Sequence, residues 1–204
     1  RNVALACQRF DTALCCLSTD YVFDGRKGAP YDETDAVNPS NVYGRSKLWG
    51  ETFVRGLLER AYIVRTAWLF GAWRDNFVTN CVARARAGQE ILLATDFIGS
   101  PTYVDDLAKG LVHLVRSGLY GTYHLTNTGW TTRHAWGEFV LAEAGELNAR
   151  VRPLALADLH LPAARPPFVA LRNMVWELHQ WPLLPPWQDA VRRFLKDLKA
   201  RARV

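Results

Sequence analysis

The sequence predicts an α/β protein whose mostly parallel sheet is covered by helices on both faces. Short apolar runs, which are typical of buried strands, alternate along the chain with stretches in which apolar residues recur at helical spacing. The composition agrees, because 49% hydrophobic and 22% charged residues are ordinary for a folded globular chain. A length of 204 residues allows one large domain, or one domain with a small lobe.

The predicted strands are short and mostly apolar. Residues 13–17 (ALCCL) form a continuous apolar run, so we expect this strand to be buried on both faces. Residues 62–69 (YIVRTAWL) form the next strand. Shorter strands are predicted at residues 91–93, 123–125 and 151–156.

The predicted helices place their apolar residues on one stripe. The clearest helix covers residues 42–59, where Leu48, Phe53 and Val54 lie on that stripe. A long connection over residues 18–41 precedes it, and loops of this length in compact domains are usually functional. Further helices are predicted at residues 2–10, 76–87, 104–117, 133–144 and 187–201.

The charge balance favours an anionic ligand. Lys plus Arg number 25 and Asp plus Glu number 20, which gives a net charge of +5. This excess suits a nucleotide but is too small and too scattered for nucleic-acid binding, so no nucleic-acid partner is predicted. The apolar runs are too short for a transmembrane helix and no signal-peptide pattern opens the sequence, so we expect a cytoplasmic protein without a membrane partner.

The four cysteines indicate no metal site. Cys7, Cys15, Cys16 and Cys81 do not have the spacing of zinc ligands. Adjacent Cys15 and Cys16 would point to opposite faces of a strand and so cannot easily pair. We expect buried free thiols in a reducing cytoplasm.

Three segments stand together in the predicted fold, two at strand ends and the third at the helix entry between them. Residues 18–25 (STDYVFDG) follow the first strand, residues 43–47 (YGRSK) open a helix, and residues 65–71 (RTAWLFG) end the second strand. Ligands of an open parallel sheet bind outside the carboxyl ends of its strands. These segments are therefore the candidate functional site.

Tyr43 and Lys47 are the candidate proton-transfer pair, because residues four apart lie on one face of a helix. A phenol is a poor proton donor at neutral pH, and a nearby ammonium favours its ionised form. Such a pair can pass a proton to or from a carbonyl or alcohol oxygen, which Thr19 could orient by a hydrogen bond. The spacing alone also fits an exposed Tyr beside a solvated Lys on an ordinary helix.

The surrounding motifs are more specific. STDYVFDG, NPSNVYGRSKLWGE, YIVRTAWLFG, NFV, GSPTYVDDLA, GTYHLTNTG and ARP follow one another in an order that closely resembles the extended short-chain dehydrogenase/reductases. Within them, the sequence is similar to the dTDP-4-dehydrorhamnose reductases over about residues 2–173. This resemblance implies a Rossmann-like, doubly wound parallel sheet with a small C-terminal substrate-binding lobe.

The resemblance also implies a reaction. NADPH or NADH would donate hydride to the 4-keto group of a dTDP-sugar substrate and give dTDP-L-rhamnose, a precursor of cell-surface polysaccharides. Tyr43 matches the proton donor, Lys47 the residue that holds the nicotinamide ribose, and Thr19 the third catalytic residue. Tyr43 and Lys47 are thus also the candidate cofactor-binding residues.

Five positions match the substrate side of the family, and a sixth, Tyr21, fits either a lining residue of the same pocket or a packing residue. Trp68 matches an aromatic residue that packs against the deoxysugar, and Arg165 lies where an arginine could hold a diphosphate through two parallel hydrogen bonds. The full set of candidate substrate-binding residues is Thr19, Asp20, Tyr21, Trp68, Asn76 and Arg165.

The sequence departs from the family pattern in two ways. Phe97 stands where the family often has Gln, and PPFVALRNMV follows Arg165 where a Ser and an Asp-rich turn are usual. No G-x-x-G-x-x-G or G-x-G-x-x-G run occurs, although the family carries one upstream of its STDYVFDG strand. With Arg1 at the start and Met174 as the single Met, this predicts that the first βα units are missing and that dinucleotide binds weakly.

The same comparison predicts the domain division. Residues 1–75 would form a partial Rossmann cofactor and catalytic domain. Residues 76–204 would form a mixed region with the remaining Rossmann elements and the substrate-binding lobe. A homodimer is compatible with the sequence, which does not decide the cofactor preference.

Two alternatives stay open. The first is another nucleotide-sugar epimerase or dehydratase of the same family, although a dehydratase usually has acidic residues directly after the catalytic Thr, and here Tyr21 follows Asp20. The second is a non-catalytic regulatory homologue, similar to the regulatory subunit of methionine adenosyltransferase, which would bind another enzyme and tolerate the loss of catalytic groups.

Overall fold

The computed structural model describes residues 1–201 and shows strands alternating with helices. The helices are α1 (Asn2–Arg9), α2 (Val42–Leu57), α3 (Phe77–Arg86), α4 (Val104–Ser117), α5 (Arg133–Ala144), α6 (Met174–Leu178) and α7 (Trp187–Arg201). The strands are β1 (Leu14–Thr19), β2 (Ala61–Thr66), β3 (Leu69–Phe70), β4 (Ile91–Ala94), β5 (Ile98–Gly99), β6 (Thr102–Tyr103), β7 (Gly121–His124), β8 (Thr131–Thr132) and β9 (Val151–Leu154).

Three parallel strands form the largest sheet, in the order β1-β2-β7. Leu14 lies opposite Ala61 and Thr19 lies opposite Thr66, so β1 and β2 end side by side. Parallel neighbours need a crossover connection, and α2 supplies it between β1 and β2. The predicted α/β class is confirmed, and the carboxyl ends of β1 and β2 share one edge of the sheet.

β1 is less buried than predicted. Cys15 and Leu17 are exposed, although every residue of β2 is buried. Within residues 1–201, β1 is an edge strand of its sheet, and its Leu14 and Cys16 side chains pack with residues of α1 and α2. Side chains alternate between the two faces of a strand, so Cys15 and Leu17 face the opposite, open side. The prediction of burial on both faces, made for residues 13–17, is wrong for β1.

The cysteines differ in exposure. All four are free thiols, but Cys15 is exposed, Cys7 and Cys16 are half-buried, and only Cys81 is buried. Cys81 lies on the inner face of α3, where burial raises the pKa of its thiol to about 12. The expectation of buried thiols is therefore confirmed for Cys81 and wrong for Cys15.

The second predicted strand ends earlier than expected. β2 stops at Thr66, and Trp68 then adopts a φ of +42°, a left-handed conformation that is unfavourable for a large side chain. This turn redirects the chain, so that β3 pairs with β6 in a separate two-stranded sheet, with Leu69 opposite Thr102. A strand pattern in the sequence does not reveal a left-handed residue within it.

The largest core cluster contains many aromatic rings and lies beside the main sheet. Trp136 of α5 is completely buried and stacks on Trp68 and on Phe77 of α3. β4 and β9, which lie at two predicted strands, pair in parallel, and α5 packs across β4. The elements between α3 and β9 are thereby tied to the turn that follows β2.

The proposed division at residues 75 and 76 stays a prediction. β7, which lies in the second part, is a strand of the main sheet, in keeping with the mixed region that was expected there. The last three residues of that part, 202–204, lie outside the described residues. Among the helices described, none combines the length and the apolar composition needed to cross a membrane.

Candidate active site

A cavity of about 810 Å³ opens at the carboxyl ends of β1 and β2, the edge at which parallel sheets bind ligands. The structure brings six of the eight predicted site residues to its wall, namely Thr19, Asp20, Tyr21, Tyr43, Trp68 and Arg165. The other lining residues are Ser18, Ser40, Asn41, Val42, Arg45, Thr66, Ala67, Leu69, Arg133, Pro162, Ala163 and Ala164.

The segment after β1 forms a short 3-10 turn that holds Thr19 and Asp20 in place. Thr19 Oγ1 donates to Asp20 Oδ1 at 2.8 Å and accepts from the Tyr21 backbone N–H at 3.2 Å. Asp20 is 3% exposed, and its Oδ2 has no hydrogen-bond partner among the described residues. Burial raises the pKa of Asp20 to about 7, although the Thr19 bond and the charge of Arg133 oppose this.

The start of α2 is fixed to two other segments. Asn41 caps the helix, since its Oδ1 accepts from the Gly44 N–H at 2.8 Å. Its Nδ2 donates to the Ala164 carbonyl at 2.9 Å, which holds the loop before Arg165 against the helix. A Cβ on Gly44 would lie 2.1 Å from the Tyr21 carbonyl oxygen, so only glycine allows α2 to approach the turn after β1 this closely.

Tyr43 lies on the wall of the cavity and Lys47 lies one helical turn further along α2. Tyr43 is 54% exposed, and its ring meets that of Tyr21 edge to face at 5.9 Å. Lys47 Nζ donates to the Leu17 carbonyl at 2.7 Å, so the ammonium lies beside β1 and is not a lining residue of the cavity. The two residues therefore share the predicted helix face, with Tyr43 closer to the cavity.

Glu51 continues this helix face and was not predicted. It is completely buried, and its carboxylate accepts from Ser18 Oγ at 2.5 Å and from Arg65 Nε and Nη2 at 3.0 and 2.8 Å. Burial alone raises the pKa of Glu51, but the bonds from Arg65 and Ser18 outweigh it and lower the pKa. These bonds fasten α2 to β1 and β2. In the sequence, the only indication of this role was that an acidic residue follows Tyr43 after eight positions, on the same helix face.

Trp68 is held by packing rather than by hydrogen bonds. Its indole stacks on Trp136 at 5.5 Å, and a Cβ on Gly99 would lie 2.3 Å from the ring. The indole Nε1 is buried and has no hydrogen-bond partner among the described residues. Trp68 thus presents a fixed ring to the cavity.

Arg133, the first residue of α5, is the second site residue that was not predicted. Its guanidinium lies 3.8 Å from the centre of the Trp68 ring and 4.6 Å from that of Phe77. Arg165 reaches the same cavity, where its Nη1 donates to the Tyr21 hydroxyl at 3.1 Å. Arginine at the start of a helix opposes the helix dipole, and this was the only signal that the sequence offered.

Asn76 does not line the cavity. Its Oδ1 accepts from the Val78 and Thr79 N–H groups, and its Nδ2 donates to the carbonyls of Gly71 and Arg74. This is a capping box at the start of α3, so the side chain is fully used within the protein. In residues 1–201, no group of three or more His, Cys, Asp or Glu side chains could hold a metal ion.

Comparison with known proteins identifies the family. Residues 1–200 match the model described as the RmlD substrate binding domain. The chain is 38% identical over 99% of its length to dTDP-4-dehydrorhamnose reductase of Streptomyces griseus, and 38% identical over 94% to that of Mycobacterium tuberculosis. It spans about two thirds of these relatives, 68% and 65% respectively.

A solved structure agrees with the sequence relatives. The crystal structure of dTDP-4-dehydrorhamnose reductase from Bacillus anthracis, in complex with NADP, superimposes with a TM-score of 0.91 at 36% identity. The match covers 96% of this chain and 69% of that one. The predicted resemblance and the Rossmann-like fold are confirmed, and the chain belongs to the RmlD substrate-binding-domain family, the family of the dTDP-4-dehydrorhamnose reductases.

Proposed function

We propose that the protein is an NADPH- or NADH-dependent oxidoreductase that reduces the 4-keto group of dTDP-4-dehydrorhamnose to give dTDP-L-rhamnose. The observation that carries the proposal is that Tyr43 and Thr19 line one cavity, while Lys47 lies one helical turn from Tyr43. The relatives named above support the substrate and the reaction.

The donors beside the cavity fit a nicotinamide cofactor. Within residues 1–201, Lys47 Nζ donates to one acceptor, the Leu17 carbonyl, so two of its N–H groups remain for ribose hydroxyls. The Tyr43 hydroxyl forms no hydrogen bond to another described residue and is open to a ligand. When bound, the cofactor supplies the hydride, and the NADP in the Bacillus anthracis structure supports this assignment.

Tyr43 then acts as the general acid. Its phenol donates a proton to the substrate oxygen that becomes the C4 hydroxyl, and the ammonium of Lys47 stabilises the phenolate that forms. Thr19 Oγ1 lies at the end of β1 and would orient the same oxygen by a hydrogen bond once its proton turns from Asp20 Oδ1 to the ligand. The three side chains come from β1 and α2, which Glu51 fastens together.

The substrate-binding residues surround this centre. Trp68 offers its fixed indole to the deoxysugar, and Asp20 offers its unpartnered Oδ2 to a sugar hydroxyl. Arg165, held by Tyr21, offers its remaining N–H groups to the phosphates. Asn76 is the one predicted substrate residue that the cavity geometry does not support.

Product analysis tests the proposal. The purified protein, given dTDP-4-dehydrorhamnose and NADPH or NADH, should form dTDP-L-rhamnose, whereas Tyr43→Phe should reduce the rate at least about a hundredfold because the proton donor is lost. Tyr120→Phe, an exposed tyrosine remote from the cavity lining, is the matched control. A product that forms equally well without reduced cofactor would favour an epimerase or dehydratase instead.

We further infer a cytoplasmic setting, a homodimer and no nucleic-acid partner. The exposed side chains of Val42, Trp49 and Phe53 on α2 support contact with a second copy. Light scattering would contradict the homodimer if the protein stayed monomeric at micromolar concentration, and cell fractionation tests the location.

A further inference from the structure

Arg133 combines two unfavourable features that a bound anion would relieve. It is a cation at the start of α5, where the helix dipole is positive and acidic residues are preferred. Four aromatic rings surround its guanidinium, with ring centres between 3.8 and 5.5 Å away: Trp68, Phe77, Phe97 and Trp136. The side chain is half-buried at the cavity wall, and a charged group partly withdrawn from water in this way is stabilised by an ionic partner.

No such partner is found in the described part of the chain. The guanidinium of Arg133 forms no ion pair and no hydrogen bond to residues 1–201, and only its ring contacts hold it. The aromatic faces compensate part of the charge through cation–π attraction, but they leave the N–H donors at its edge unused. Desolvation lowers the pKa of Arg133 to about 10, so the group is still charged at pH 7.

The surroundings of Arg133 do not neutralise it. Arg165 lines the same cavity and lies close enough for its charge to lower the pKa of Arg133 further. The nearby acid is Asp20, whose Oδ1 accepts from Thr19 and whose charge acts on Arg133 without a direct ion pair between them. The cavity therefore presents three cationic side chains, Arg45, Arg133 and Arg165, and of these Arg133 is the one whose guanidinium lies against four aromatic rings.

We infer that Arg133 is a substrate-binding residue whose guanidinium edge donates to the diphosphate of the nucleotide-sugar, while its face stays against Trp68. This rests on the proposed function for the identity of the substrate. The Trp68 ring and the phosphates would then be held by the same side chain, so that binding the anion fixes the ring that receives the sugar.

Titrations with dTDP and with uncharged thymidine test the inference without requiring turnover. In Arg133→Met, an apolar chain can keep the ring contacts while the charge is lost. We expect dTDP to bind about ten- to a hundredfold more weakly, as for a lost hydrogen bond to a charged group, and thymidine binding to be unchanged. Arg116→Met, an exposed arginine of α4 outside the cavity lining, is the control with the same change in net charge.

Two results would overturn the inference. One is dTDP affinity in Arg133→Met within about twofold of that in Arg116→Met. The other is an equal loss of dTDP and thymidine affinity, which would mean that Arg133 only shapes the cavity. A protein that binds dTDP through Arg133 but forms no reduced sugar would contradict the proposed function and leave this inference intact.

Discussion

The cavity has two walls that are built by different forces. The α2 wall, formed by Ser18, Thr19 and Asn41, is held by hydrogen bonds, and each of these side chains has a protein partner. The α5 wall, formed by Trp68 and Arg133, is held by ring packing, and its polar groups have no hydrogen-bond partner among residues 1–201. Partnered groups hold the backbone and side chains of the wall in place, whereas unpartnered groups remain for a ligand to satisfy.

The largest loss of stability is expected when the hydrogen bonds that hold the α2 wall are removed. Glu51→Ala leaves the buried guanidinium of Arg65 without its carboxylate and should lower the free energy of unfolding by about 3–5 kcal/mol. Chemical denaturation measures this loss. Arg55→Ala is the matched control, because it removes the half-exposed partner of the same carboxylate and should cost at most about 1 kcal/mol. Equal losses in both variants would contradict the view that Glu51 acts through β1 and β2.

The two walls also differ in how much of them could be predicted from the sequence. Tyr43 and Lys47 lie within one helix, so their spacing alone places them on one face. Glu51 shares that face, but its contribution to stability depends on the hydrogen bonds from Arg65, which lies fourteen residues away on β2. Sequence periodicity carries no information about such a pairing.

The α5 wall depends on contacts that are still more distant. Trp68 meets Gly99 and Trp136 only because its left-handed turn redirects the chain after β2. Arg133 is recognisable as unpaired only when every carboxylate around it is known. The family resemblance located Trp68 and Arg165, whereas Arg133 required the three-dimensional arrangement.

The second prediction concerns Asp20, whose carboxyl lies between the walls. In the folded state its pKa is about 7, raised by burial, while an unfolded Asp titrates near about 3.9. The folded state therefore holds the proton more tightly, and stability falls as pH rises from about 4 to 7, by up to about 1.4 kcal/mol per pH unit. Below about pH 4 Asp20 is protonated in both the folded and the unfolded state, so it adds no pH dependence to the stability there.

Comparison with Asp20→Asn isolates this site from the other titrating groups. The difference in unfolding free energy between the two proteins should change between pH 4 and 7 and be constant above about pH 8. The charge of Arg133 lowers the pKa of Asp20. Arg133→Met should therefore raise this pKa and move the upper end of the pH window to higher pH. A difference in unfolding free energy that does not vary with pH would contradict the raised pKa of Asp20. It would also mean that the charge of Arg133 does not act on Asp20.

The smallest effect is expected at Asn76, which belongs to neither wall. Since its side chain caps α3, Asn76→Ala should lower the free energy of unfolding by about 0.5–2 kcal/mol and leave the affinity for dTDP unchanged. Asn76→Asp is the comparison variant, because it keeps the oxygen that accepts from Val78 and Thr79 while a carboxylate oxygen replaces the Nδ2 donor to Gly71 and Arg74. A tenfold weaker binding of dTDP by Asn76→Ala, without loss of stability, would instead show that Asn76 contacts the substrate, as its match to the family indicated. The α5 wall would then include the start of α3.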